Sequence, residues 1–182
     1  TVAKVWADTS GVSCSYSATP VAYDDASSCG TVLDTGWDKL ASTDTMRVRA
    51  GVYPGQNVTG SKTAVTKIIG DPGVVISGAE SGFCSYGPAT GLMQVTANFL
   101  WLENVRIDAG SSHGQGTGGC IDGSNVTYRN VDLYGSFVSL YPTGQNFVWR
   151  GGSLGQDGVA GGQRSCNTGD GEPRWIEFRP IR

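Results

Sequence analysis

Phe99-Leu-Trp-Leu-Glu-Asn-Val-Arg-Ile-Asp108, Asn125-Val-Thr-Tyr-Arg-Asn-Val-Asp-Leu-Tyr134 and Asn146-Phe-Val-Trp-Arg-Gly-Gly-Ser-Leu-Gly155 are three copies of one pattern. Each opens with two alternating positions that face one way, Leu100 and Leu102, Val126 and Tyr128, then Phe147 and Trp149. A charged residue and an Asn or Gly follow, and then a second inward pair, Val105 and Ile107, Val131 and Leu133, Gly152 and Leu154. Alternation at period two is the mark of a strand with one buried face. Asn104, Asn130 and Gly151 share the position between the two pairs, where Asn and Gly tolerate left-handed backbone and so suit a corner. The copies begin at Phe99, Asn125 and Asn146, so the second step is slightly shorter than the first.

A repeat of this length, with two short strands and a corner, fits one turn of a parallel β-solenoid. A third strand per turn is then expected in the gap before each next copy. Leu92-Met-Gln-Val95, Cys120-Ile-Asp-Gly123, Phe137-Val-Ser-Leu140 and Trp175-Ile-Glu-Phe178 all alternate and all occupy such gaps. Upstream, Met46 to Val48, Val65 to Ile69 and Val74 to Ile76 read as earlier, less regular turns. The chain is therefore expected to be all-β, a solenoid of about four to five turns with three short strands each.

Residues 1 to 44 read as its start. Leu33, Trp37 and Leu40 fall at i, i+4 and i+7, so a short amphipathic helix between about Thr31 and Ala41 is predicted to cover the first turn. Val2 to Trp6 reads as a strand joining that turn. Residues 45 to 182 form the solenoid, within a single structural domain.

Of the five cysteines, Cys14 and Cys29 enclose a short polar segment and are predicted to be bridged, which places the chain in an oxidising compartment, secreted or at the cell surface. No charged and apolar leader opens the chain, which is expected to be a mature secreted form. Cys84 and Cys166 precede equivalent strands by similar distances along the chain and make a second pair, leaving Cys120 over. One His and no CxxC spacing give no zinc set, so no metal or cofactor is expected. The 13 Lys and Arg against 16 Asp and Glu are spread along the chain and provide no footprint for nucleic acid or an anionic membrane, and no apolar run would span a bilayer.

Thr45-Met-Arg-Val-Arg-Ala-Gly-Val-Tyr-Pro-Gly-Gln56, Ile69-Gly-Asp-Pro-Gly-Val-Val-Ile-Ser-Gly78 and the Asn-Val-Thr-Tyr-Arg-Asn-Val-Asp-Leu repeat resemble the secreted right-handed parallel β-helix proteins of the pectate-lyase-like superfamily. The resemblance implies a right-handed parallel β-helix over roughly residues 45 to 178. That superfamily holds polysaccharide lyases, glycoside hydrolases, adhesins and phage tailspikes, so it implies a fold more than a reaction. A lyase of this kind would be expected to gather Asp residues for calcium beside a basic residue, and Asp122 stands alone in its row.

In the third-strand set, burial of Met93, Val95, Ile121, Val138, Leu140, Ile176 and Phe178 would turn two rows outward: Leu92, Cys120, Phe137, Trp175, and Gln94, Asp122, Ser139, Glu177. An aromatic row beside a polar one suits a sugar chain. Two turns at about 4.8 Å each would put Asp122 and Glu177 roughly 9 to 10 Å apart, which permits an inverting acid and base pair. Phe137 and Trp175 would serve as stacking platforms, with Gln94, Ser139 and the loop residue His113 as further substrate contacts. The leading function is a carbohydrate-binding or carbohydrate-cleaving protein, most simply a glycoside hydrolase acting on a polysaccharide. The alternatives are a non-catalytic adhesive or filament-forming solenoid and a polysaccharide lyase. After Trp175 to Phe178 no capping element follows, so the chain is expected either to be a fragment of a longer β-helix or to self-associate end to end through its C-terminal face.

Overall fold

A computed structural model describes residues 1–78, 92–108, 120–134, 141–142 and 144–155. In chain order these form β1 (Val5–Ala7), α1 (Leu33–Lys39), β2 (Thr45–Val48), β3 (Gly51–Tyr53), β4 (Gln56–Val58), β5 (Thr66–Gly70), β6 (Val74–Ser77), β7 (Met93–Val95), β8 (Leu100–Asp108), β9 (Cys120–Ile121), β10 (Thr127–Tyr134), β11 (Tyr141–Pro142), β12 (Val148–Arg150) and β13 (Leu154–Gly155). Every pairing between these strands is parallel. The protein is thus all-β, with a nine-stranded and a four-stranded parallel sheet. Among the described residues no helix is long and apolar enough to cross a membrane.

The pairing register reproduces the repeat. Tyr128 lies beside Leu102 on one side and Trp149 on the other, so equal positions of the three copies are neighbours. Stacking equal positions makes columns that run through the interior. Met46, Ile68, Leu102 and Tyr128 form one, and Tyr53, Ile76, Ile107 and Leu133 another, all of them buried. Val58, Val95 and Ile121 make a third column on the smaller sheet. Each buried aliphatic of this size is worth about 1.5–3 kcal/mol, so the columns carry the fold.

In β8 and β10 the corner expected between two short strands is a bend inside one strand, whereas in the third copy Gly151 lies between the short strands β12 and β13. β8 pairs with β5 through its first half and with β6 through its second. The left-handed residue sits between the halves: Asn104 has φ 57°, Asn130 φ 49° and Gly151 φ 69°. The Asn130 side-chain amide donates to Asn104 Oδ1 at 3.3 Å. A Cβ at Gly151 would come 2.5 Å from Asn130 Oδ1, so any other residue at this step would have to displace the Asn130 side chain. Phe99, Asn125 and Asn146, each at φ 59°, make a second stack of bends, where the Asn146 amide donates to Asn125 Oδ1 at 2.9 Å.

At the N-terminal end the predicted helix forms, shortened to Leu33–Lys39, and packs on β1 and β4 with Leu33, Trp37 and Leu40 buried. Gln56 fastens its start: Oε1 accepts from Leu33 N–H at 2.8 Å, while Nε2 donates to the carbonyls of Thr31 and Pro54 at 2.9 and 2.7 Å. The Trp37 indole donates to the Gly60 carbonyl at 2.9 Å. The N-terminal strand lies at Val5–Ala7, slightly later than Val2 to Trp6, and joins β2 as expected. Its free edge is bonded by the segment closed by the Cys14–Cys29 disulfide, with Cys29 N–H donating to the Trp6 carbonyl at 2.7 Å and Asp8 N–H to the Cys29 carbonyl at 2.8 Å.

Candidate functional site

The smaller sheet, where the sequence placed the site, runs β4, β7, β9, β11. Met93, Val95 and Ile121 point inward as expected. Its rows differ from the expected ones. Gln94 lies beside Cys120, and Tyr141 lies beside Cys120 on the other side. The expected row had Leu92, Cys120 and Phe137 in line, with Gln94, Asp122 and Ser139 in the next. The observed β7–β9 register slides by one inward–outward pair; strand β11 is Tyr141–Pro142, and the expected strand Phe137 to Leu140 lies outside the described residues.

Two corrections follow. Leu92 is 1% exposed and belongs to the core, because it immediately precedes β7 at a bend and turns inward with Met93. Asp122 is half-buried and lies past the end of β9, next to the bend at Gly123, so it is not a neighbour of Gln94 in a row. The bend is tight: a Cβ on Gly123 would fall 1.8 Å from the Ala97 carbonyl oxygen. Asp122 N–H donates to the Val95 carbonyl at 2.8 Å, which fixes its backbone. Gln94 is half-buried on the outer side of β7, beside Asn57 of β4. Phe137, Ser139, His113, Trp175 and Glu177, and the Cys84–Cys166 pair, lie outside the described residues, so no separation between Asp122 and Glu177 is defined. Among the described residues no group of three or more His, Cys, Asp or Glu side chains is placed to hold a metal ion.

The outer face of the broad sheet brings together a further set of side chains, away from the expected site. On the first half, before the Asn104 and Asn130 bends, Trp101 is half-buried and its indole donates to Glu103 Oε2 at 2.8 Å. The Lys67 ammonium lies 5.3 Å from the Trp101 ring centre, and the Arg129 guanidinium 5.9 Å from it. Both are within the range of cation–π attraction. Arg129 also reaches Glu103, at 3.9 Å, as its registered position predicts.

On the second half, Arg106 stacks over the Tyr134 ring at 4.1 Å. Arg106 and Asp132 are in register, but the ion pair is made elsewhere: Arg106 donates to Asp108 on its own strand face. Asp132 accepts from Ser153 Oγ at 2.7 Å, and that hydroxyl lies 3.0 Å from the Tyr134 hydroxyl. Asp132 thus bonds a hydroxyl just before β13, while the Arg106 guanidinium lies over the Tyr134 ring and on Asp108. Two aromatic side chains, each beside charged hydrogen-bonding groups, thus stand on one parallel sheet.

Comparison of the chain with protein-family models, with curated proteins and with solved structures found no match.

Proposed function

We propose that the chain is a secreted right-handed parallel β-helix protein that binds a polysaccharide on the outside of its stacked strands. The observation that carries this is the outward setting of Trp101, with its indole N–H held by Glu103 and its flanks occupied by Lys67 and Arg129. A rigid aromatic edged by polar groups is the usual recognition unit for a sugar ring, which offers apolar C–H faces and a rim of hydroxyls. Tyr134 repeats the arrangement on the other half of the sheet. The Cys14–Cys29 disulfide supports an oxidising, extracellular setting, and the parallel ladders with left-handed residues at equal places support the β-helix.

The test is a binding panel of soluble polysaccharides against wild type and Trp101→Ala. The reading expects at least one ligand and a loss of tenfold or more in the variant. Unchanged binding by Trp101→Ala would remove this surface, and no binding to any polymer would remove the function. The hydrolytic form of the reading assigns Asp122 and Glu177 as acid and base. Equal release of reducing ends by wild type and Asp122→Asn would take Asp122 out of catalysis.

A further inference from the structure

Asn57-Val-Thr59 and Asn125-Val-Thr127 both have the acceptor pattern for an N-linked glycan. The fold sets them in opposite circumstances. Gln56 and Val58, 1% and 0% exposed, point inward from β4, so Asn57 between them points outward. It is exposed, and its side chain makes no hydrogen bond among the described residues. The strand is held from its far end instead: Asp34 of α1 accepts from Thr59 N–H at 2.7 Å and from Thr59 Oγ1 at 3.0 Å. None of these ties uses the Asn57 amide, so a substituent on it costs the fold no bond. Asn125 is half-buried at its left-handed bend, and its Oδ1 accepts from the Asn146 amide. Its N–H donates to the Gln145 carbonyl at 2.8 Å, and the preceding Ser124 carbonyl accepts from Phe99 N–H at 3.0 Å. Neighbouring copies thus close on this bend from both sides at a strand spacing of about 4.8 Å, and a sugar on the Asn125 amide would have to part them.

We infer that Asn57 is the N-glycosylation site of this chain in a secretory pathway that performs the transfer, and that the exported protein carries no glycan at Asn125. The inference rests on the secreted setting proposed above and is independent of the polysaccharide reading. The donor is an oligosaccharide carried on a lipid diphosphate. The Asn57 amide nitrogen bonds to the anomeric carbon, the bond from that carbon to the diphosphate oxygen breaks, and the lipid diphosphate leaves with the electron pair as the amide gives up one proton. In the fold the Thr59 hydroxyl, the third member of the pattern, is held by Asp34, so the transfer belongs to the chain before α1 docks on β4. The fold then decides which products are exported: one modified at Asn57 closes normally, while one modified at Asn125 cannot complete its stack of bends. Standing beside Gln94 of β7, the glycan covers the outer side of the smaller sheet and leaves the Trp101 face of the broad sheet open.

The experiment expresses the full chain behind a cleavable secretion leader in cultured mammalian cells, as wild type, Asn57→Gln, Thr59→Ala and Asn125→Gln. Both lysate and medium are analysed, so a variant that folds poorly still reports its glycan. Occupancy is read by peptide mass spectrometry after enzymatic deglycosylation, which converts a glycosylated Asn to Asp, and the Cys14–Cys29 bridge is read by thiol labelling. Wild type and Asn125→Gln should lose mass on deglycosylation and show the conversion at position 57. Asn57→Gln and Thr59→Ala should lose that conversion, the second while keeping the acceptor Asn. Exported wild type with the bridge closed and Asn57 bare overturns the inference and leaves the secreted setting standing. A glycan at Asn125 in the exported protein also overturns it, because the stacked bends would then have admitted a sugar. A chain that stays in the cell with Cys14 and Cys29 as free thiols overturns both the inference and the secreted setting.

Discussion

The N-terminal region up to Thr66 and the strands from Met93 onward bury their side chains on different terms. Ser28, Asp44, Gln56 and Thr66, the buried polar residues among those described, all belong to the first. There the backbone is irregular, and each polar side chain ties a particular pair of groups, as Gln56 ties Thr31, Leu33 and Pro54. From Met93 the buried side chains are hydrophobic and stand in registered columns, where one layer supports the next. Polar ties depend on a unique partner and fail singly, while a column tolerates any side chain of suitable volume.

Trp37→Ala should show the largest effect. It removes a fully buried indole from beneath the first layers, and a loss of about 3–5 kcal/mol in urea denaturation is expected. A loss below about 1 kcal/mol would mean that the N-terminal region unfolds independently of the columns. Opening the Cys14–Cys29 loop by Cys14→Ser ranks next. A loop closed across a sequence separation of 15 is worth about 3 kcal/mol. Urea midpoints of wild type with and without reductant should differ by as much as wild type and variant do.

Asp44 probes the polar ties. Burial pushes its carboxyl up, but hydrogen bonds from Lys4, from Ala41 N–H and from Tyr16 outweigh burial and hold it below the usual carboxylate range. Its folded pKa being the lower, its contribution is fully present above the unfolded value of about 3.9 and is lost as pH falls through the folded one. Asp44→Asn should cost about 2 kcal/mol at neutral pH and flatten the stability profile below about pH 4. A variant whose acid unfolding superimposes on wild type would show that the tie carries no weight.

The smallest effect has the opposite sign. The Tyr128 hydroxyl is buried in its column without a hydrogen-bond partner among the described residues, and burial pushes the phenol's pKa up. Tyr128→Phe deletes a polar atom that folding desolvates and should raise stability by about 1 kcal/mol. A loss on this substitution would abolish the contrast between the two regions.

The columns were legible because they repeat: Leu102, Tyr128 and Trp149 recur at the same place in successive copies, and the structure keeps those steps. The smaller sheet was misread because alternation alone aligned Leu92 with Cys120. The step from Leu102 to Tyr128 and the shorter one from Tyr128 to Trp149, carried over to the third strands, lead from Gln94 to Cys120 to Tyr141, which is the observed register. Alternation fixes which face a residue takes and leaves sliding by a whole inward–outward pair undetermined. The same steps align Arg129 with Arg150, so the β10–β12 register was within reach of the sequence. The ties of Gln56 and Asp44 were not, since they join residues with no common period. Nor was the Trp101 setting, which depends on the orientations of Lys67 and Arg129 above the ring.

The bend at Asn104 and Asn130 has a consequence for how such a chain changes size. Both residues have the same left-handed backbone at the same place on neighbouring strands, and their side chains touch. Excising the segment 104 to 129 would deliver Asn130 to the place Asn104 leaves, with Val131 following where Val105 stood. Length along this sheet is therefore counted in whole strand repeats: a cut of one full period keeps the described strands in register, while one of only part of a period shifts the pairing of the strands beyond it.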